Sequence, residues 1–461
     1  MTPPVKETPR SAVMAGRFFP AEPARLAQAV EDALPTLPLA GTAAPCAVIS
    51  PHAGYRFSGH LAGAALAATA SASPRSAVIL SPSHRHGFAG LALPSASGYR
   101  MPGFDIKIDA AARAALVDAK LAHVEDAAHD QEHGIETQLP FLHHLHPDTE
   151  IIPVVIGRAT ADDVARLVDY LATRSEKPPL FVLSSDLSHF LTLDKARAHD
   201  AEAAKLIETG QSHKLTPAHA CGSRAIKGFL ASRFGQGMRL QRLGMANSHR
   251  ATGDSSRTVG YGAWGLYDST AEILAPPLRS AMLTAARQAL RSYLAKGRMP
   301  EVRVASFAAE LQTHAAAFVS LQSAGRLRGC IGSLAAHRPL IADVVENAIK
   351  AASQDPRFAP LTAEELDGVT LKIAVLSPAR AMRFSSQDDL ETQLTPGRDG
   401  LILTDGRHRG TFLPMVWDSL ETPRAFVDGL KLKAGLPREH WSDTVQVHRF
   451  CAESFSEPDG V

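Results

Sequence analysis

Four short runs, residues 47–50 (AVIS), 77–80 (AVIL), 151–156 (IIPVVI) and 180–183 (LFVL), are apolar at nearly every position and lack the alternation of a half-exposed strand. Strands of this kind are buried on both faces, which points to the centre of a mostly parallel sheet. Ala-rich segments with helical spacing lie between them, at 24–34, 60–70, 109–122 and 161–174. Strand–helix alternation of this kind predicts an α/β domain of three layers, with helices on both sheet faces and an apolar finishing strand at 258–267.

The residues just past the strand ends carry the chemistry. The first strand runs into Pro51-His52-Ala53-Gly54-Tyr55, the second into Ser81-Pro82-Ser83-His84-Arg85-His86, and the fourth into Ser184-Ser185-Asp186-Leu187-Ser188-His189. Open α/β sheets bind ligands just beyond the carboxyl ends of their strands, so three strands deliver polar side chains to one rim. Cys221 stands in a small-residue turn, PAHACG, before a helical segment at 223–229, where the helix dipole favours a thiolate. Two imidazoles and a thiolate, from His52, His84 and Cys221, form a coherent donor set for one ion of iron(II), copper or zinc, with positions left for water or substrate. Fifteen of the 20 histidines precede residue 275. Three of them, His143, His144 and His146, read as surface decoration.

A chain of 461 residues exceeds what one hydrophobic core usually serves. A boundary at Leu274-Ala275-Pro276-Pro277 divides it into domains 1–275 and 278–461. In the second, helical segments at 278–296, 340–354 and 422–434 alternate irregularly with strand-like runs at 317–321, 329–334, 371–376 and 401–404, which fits an α+β domain. The 48 Lys+Arg and 47 Asp+Glu are scattered without a basic block, which argues against nucleic acid as a partner. No run reaches the eighteen or so apolar residues of a spanning helix, and MTPPVKETPR lacks the apolar core of a signal peptide, so no membrane association and a cytoplasmic location are expected. The four cysteines (Cys46, Cys221, Cys330, Cys451) are too few for a disulfide framework and read as thiols. Neither a Gly-x-Ser-x-Gly elbow nor a P-loop is present.

The segments AGRFFP (15–20), PHAGYRFSG (51–59), SPSH (81–84), EHGIETQLPFL (132–142), SSDLSHF (184–190), ACG (220–222) and GYGAWG (260–265), in this order, resemble the Memo family, component B of the AmmeMemoRadiSam systems. That resemblance implies the fold of class III extradiol dioxygenases and an iron or copper ion held by two histidines and a cysteine, here His52, His84 and Cys221, with iron(II) foremost. It places the catalytic histidine on His189, with Asp186 close by. Where the family usually has Cys-Gly-Arg-His-Pro, this chain has Cys221-Gly222-Ser223-Arg224-Ala225. His189 is then a general base toward a hydroxylated substrate, with Asp186 either accepting its other ring N–H or capping the next turn. His133 and Glu136, three apart in a helix, share one face and either support the site from outside, line its pocket, or form a surface pair. His86 is a further outer group.

The second domain resembles the AMMECR family, component A of the same systems, through LRGCIGS (327–333), DPRF (355–358) with PLT (360–362), GRDGLIL (397–403) and GTFLPMVWD (410–418). Arg328 and Cys330 are its candidate site: a thiolate beside a guanidinium, an anion-binding turn, or a strand cysteine flanked by glycines for packing. Together the resemblances imply a dioxygenase-like metal oxidoreductase acting on a small phenolic substrate with a radical-SAM protein as partner. The alternatives are a metal-dependent hydrolase and a non-catalytic metal-binding partner of the radical-SAM enzyme.

Overall fold

The computed structural model describes residues 6, 8–35, 43–236, 238–268 and 271–458. The chain divides into two compact units, Met1–Asp268 and Ser269–Val461. In the first, an eight-stranded sheet contains β1 (Ala47–Ser50), β2 (Ser76–Pro82), β3 (Leu91–Leu93), β4 (His123–Val124), β5 (Glu150–Ile156), β6 (Leu180–Ser184), β7 (Arg239–Asn247) and β8 (Gly260–Tyr267), in the order β7-β8-β1-β6-β2-β5-β3-β4. The four central strands β1, β6, β2 and β5 are parallel, and they are the four apolar runs. Antiparallel pairings join β8 to β1, β7 to β8 and β3 to β5.

Burial explains why the central strands lack alternation. On one face Ala47, Ile49, Val78 and Leu80 pack with α3 (Ala110–Asp118), α6 (Ala161–Thr173), α7 (Leu193–Glu208) and α8 (Ser223–Ala231). On the other, Val48, Ala77, Ile79 and Val182 pack with α1 (Pro23–Ala33), α2 (Tyr55–Ala67) and α5 (Leu139–Leu145). Each buried aliphatic side chain contributes about 1.5–3 kcal/mol, so apolar burial stabilises both faces of the sheet. The result is a three-layer α/β unit. The α6 start carries a reciprocal cap between Thr160 and Asp163, which fixes where that helix begins.

The second unit is α+β. One antiparallel sheet holds β9 (Ala316–Ser323), β10 (Arg326–Gly332), β11 (Val369–Leu376) and β16 (Ala452–Ser456), in the order β10-β9-β11-β16. The other holds β12 (Arg380–Ala381), β13 (Gly400–Asp405), β14 (His408–Phe412) and β15 (Gln446–Phe450), in the order β12-β15-β13-β14. Helices α9 (Pro276–Lys296) and α10 (Leu340–Ser353) cover the first sheet, and α11 (Pro423–Lys433) covers the second. Residues 273 and 274, placed before the boundary by the sequence, are tied into this unit: the Ile273 and Leu274 backbone N–H groups donate to the Glu453 carboxylate at 3.0 Å each. Among the described residues no helix is long and apolar enough to cross a membrane.

Two of the three FLHHLHP histidines are not surface decoration. His146 is buried with Nε2 2.8 Å from the Thr69 hydroxyl, and His143 stacks on Phe104 at 4.0 Å. His129 is buried too, its Nε2–H donating to the Ala92 carbonyl (3.1 Å) while Nδ1 faces the Tyr99 hydroxyl (3.3 Å). Burial holds its pKa down to about 4. An unfolded histidine titrates near 6.5, so the unfolded chain takes the proton first as pH falls. His129 therefore stabilises the fold fully above about pH 6.5 and loses about 3 kcal/mol of that by pH 4. The urea midpoint of the first transition should drop across this window, and His129→Gln should make the drop shallower by about one proton. A slope unchanged in the variant would contradict the assignment.

Candidate metal centre

The parallel register sets the carboxyl ends of β1, β6 and β2 side by side: Ser50 lies abreast of Ser184, and Leu80 abreast of Leu183. His52 comes after β1, His84 after β2, and Asp186 after β6. Cys221 arrives from the turn before α8, where its N–H donates to the Asp186 carbonyl (3.2 Å) and the Gly222 N–H to the Ser185 hydroxyl (2.9 Å). Position 222 has no room for a side chain, because a Cβ there would stand 2.5 Å from the Ser184 carbonyl oxygen. One donor atom each from His52, His84 and Cys221 falls within 4.8 Å of the others.

Hydrogen bonds fix which nitrogen each ring presents. His52 is 1% exposed, and its Nδ1 lies 2.7 Å from the Ser184 hydroxyl. That hydroxyl gives its proton to the Gly134 carbonyl (2.6 Å), so toward His52 it accepts, and His52 carries its hydrogen on Nδ1. The lone pair on Nε2 then faces the Cys221 sulfur at 3.2 Å. His84 is set the same way: Nδ1 meets the Glu132 carboxylate at 2.8 Å, an acceptor only, which leaves Nε2 bare. The second Glu132 oxygen accepts the His84 backbone N–H at 2.9 Å. Burial opposes ionisation of Glu132, but the His84 ring outweighs it and holds the carboxyl below its usual range.

The donors suit a divalent ion. Burial, then the Asp186 charge, pushes the Cys221 thiol up, so the sulfur is protonated unless a cation replaces its proton. Burial lowers His52 well below its usual range, so its imidazole is neutral at pH 7. Donor atoms around one tetrahedral ion with metal–nitrogen bonds of about 2.0–2.1 Å and a metal–sulfur bond of about 2.3 Å stand about 3.5 Å apart. The 3.2 Å between His52 Nε2 and Cys221 Sγ is close to that.

Two further imidazoles stand near. The His133 ring lies 4.3 Å from the His84 ring and 5.0 Å from the His52 ring, and burial lowers its pKa to about 4. It can come so close because position 134 is glycine: a Cβ there would collide with the Ser81 hydroxyl. Burial, and then the His84 charge, hold the His189 imidazole below its usual range.

Several expected roles change. Asp186 does not orient His189: its carboxylate accepts the His52 N–H at 2.8 Å and its own N–H donates to the Cys221 sulfur at 3.2 Å. Burial raises its pKa to about 7 against the backbone N–H groups of His52 and Ala53, which favour the carboxylate. Asp186 thus ties the two ligand loops together and caps no helix. Glu136 parts from His133: it is fully buried, accepts the Val13 and Met14 N–H groups at 3.0 Å each, and pairs with Arg10 at 3.0 Å, partners that draw its carboxylate away from the site. His86 turns to Glu125 instead (2.7 Å). In the second unit, Arg328 does not meet Cys330 through its guanidinium, which forks onto Glu365 at 3.1 and 3.0 Å. Glu132 and Ser184 were not singled out in the sequence. The signal for Glu132 was its place directly before His133 at a helix start, where it also accepts the Gly134 N–H (2.9 Å).

Known proteins share both units. Residues 10–264 match the family described as Memo-like protein, and residues 283–455 match AMMECR1. A MEMO1 family protein of Aeropyrum pernix is 29% identical over 276 residues, covering 55% of this chain and 98% of its own. A protein of Methanothermobacter thermautotrophicus is 40% identical over 146 residues, covering 30% of this chain and 74% of its own. The crystal structure of an uncharacterized Pyrococcus horikoshii protein aligns with 38% of this chain and 90% of its own, at 31% identity and a TM-score of 0.36.

Carboxylates that orient a ligating histidine are worth about tenfold to a hundredfold in metal affinity. Glu132→Gln should weaken divalent-metal binding by about that factor in a chelator competition titration. Unchanged affinity would remove Glu132 from the site.

Proposed function

Because the chain belongs to the Memo-like protein family, with an AMMECR1 domain behind it, we propose that its first unit is a mononuclear metal centre, iron(II) foremost, that oxidises a small phenolic substrate as the extradiol dioxygenases do. The observation that carries this is the pair of imidazoles locked with bare Nε2 atoms around one thiol. Bound there, iron(II) supplies a Lewis acid with open positions and a one-electron couple toward oxygen. The chain's own residues do the rest.

His133 and His189 are neutral at pH 7, held so by burial. A neutral His189 ring carries one bare nitrogen, which is left to accept a proton. A hydroxylated substrate at the rim meets one of these two bases, which takes the hydroxyl proton as the oxygen becomes an anion. Asp186 positions His52 and Cys221 and takes no proton from substrate. A radical-SAM protein of the same system is the partner we assign to the chain. The same neutral imidazoles would also take a proton from water, which is the specific support for a metal-dependent hydrolase as the second reading.

Purified without oxygen, the chain should hold about one iron(II) on these three donors, and His52→Ala, His84→Ala and Cys221→Ala should each weaken it by more than the tenfold to hundredfold, roughly, of an orienting partner. Iron-loaded protein should consume oxygen with catechols. Hydrolysis without oxygen uptake would favour the second reading, and full metal occupancy in all three variants would refute the site.

A further inference from the structure

In the second unit, two cations stand on the face of a sheet that carries its core. The register across four strands sets Arg380 on β12 opposite Arg449 on β15, Arg449 opposite Leu401 on β13, and Leu401 opposite Phe412 on β14. Side chains directly opposite one another in antiparallel strands project to the same face. Leu401 is fully buried and shares a core with Phe426, Val427 and Leu430 of α11, against which Phe412 packs, so this row of four lies on the covered face. Two arginines thus stand side by side where apolar residues belong. Like charges directly opposite one another destabilise a sheet.

The two are not held alike. Arg449 turns onto the Gln393 carbonyl (3.2 Å) and toward the Asp399 carboxylate (3.8 Å). Arg380 has no such hold: among the described residues no carbonyl, hydroxyl or carboxylate accepts from its guanidinium, and its Nη2 is enclosed without a partner. An enclosed cation is costly unless an anion or a set of acceptors replaces the water it has lost. Burial, and then the Arg449 charge, bring the Arg380 pKa down to about 9, so it still carries its charge at pH 7. β12 is an edge strand and Ala381 beside it is exposed, so an ion from solvent can reach the guanidinium.

We propose that Arg380, with Arg449 beside it, binds a small oxyanion, the phosphate or carboxylate group of a ligand, at this edge of the second unit. A guanidinium offers paired N–H donors in one plane, which match two oxygens of either group. The anion supplies the acceptors that the chain does not give Arg380, and it sits against two cations that otherwise repel. The site is one of recognition, and no bond is made or broken there. It shares no residue with the metal centre.

Inorganic phosphate and acetate, each exchanged for chloride at constant ionic strength, test this in the full chain, read by calorimetry as the thermal midpoint of the second unit. That midpoint should rise by roughly 3–6 °C once the anion stands about tenfold above its Kd. A rise with phosphate alone assigns a phosphate group, a rise with acetate alone a carboxylate, and a rise with both the chemistry they share. Phosphate strengthens apolar burial in any protein, so the same titration of Arg380→Met supplies the baseline, and that variant should lose the excess rise. Arg407→Met, at an exposed turn, should keep it. In chloride alone, Arg380→Met should unfold no earlier than the unsubstituted chain, because it sheds a charge that had no partner. Equal rises in the unsubstituted chain and Arg380→Met overturn the proposal. So does earlier unfolding of Arg380→Met in chloride, because Arg380 would then already have its partner within the chain.

Discussion

A hydroxyl has one proton to give, and Ser184 gives its own to the Gly134 carbonyl. Toward His52 it can therefore only accept, which puts the imidazole hydrogen on Nδ1 and leaves Nε2 facing the Cys221 sulfur. The proposed chemistry rests on that one direction. Reversed, His52 would point an N–H at the thiol and the pair would be an ordinary hydrogen bond. Glu132 does the same for His84 by a surer route, since an ionised carboxylate has no proton to offer.

The fold makes this arrangement possible because Ser184, Ser50 and the end of β2 are neighbours in a parallel sheet. Gln138 ties the helical segment to them, its amide spanning the Ser50 hydroxyl (2.7 Å) and the Pro51 carbonyl (3.0 Å). Two glycines then remove side chains where backbone must come close, Gly134 beside Ser81 and Gly222 beside Ser184. The same device recurs in the second unit, where one carboxylate, Asp355, fixes both a strand N–H and the guanidinium that faces Cys330.

Much of this was legible in the sequence, for a physical reason. Strands buried on both faces must be apolar throughout, so AVIS, AVIL and LFVL announced the sheet centre, and the residues after them announced the rim. Pairing between side chains far apart in the chain was not legible. Asp186 lies three residues before His189, yet its carboxylate is taken by the backbone of residue 52. Glu136 shares a turn with His133, but a buried partner, Arg10, draws it the other way. Arg328 and Cys330 stand two apart in a strand, where period-two spacing puts their side chains on one face. Even so, Arg328 is captured by Glu365, and it is Arg357, 27 residues on, that turns to the cysteine. The boundary moved for the same reason, since Glu453 reaches back across the sequence to claim residues 273 and 274.

The most direct test of the metal centre is X-ray absorption at the iron edge of the iron(II)-loaded chain, which counts the atoms bound to the metal. Two imidazole nitrogens and one sulfur at about 2.3 Å are predicted, with the sulfur lost in Cys221→Ser while the imidazoles remain. Iron held by nitrogen and oxygen alone in the unsubstituted chain would contradict it.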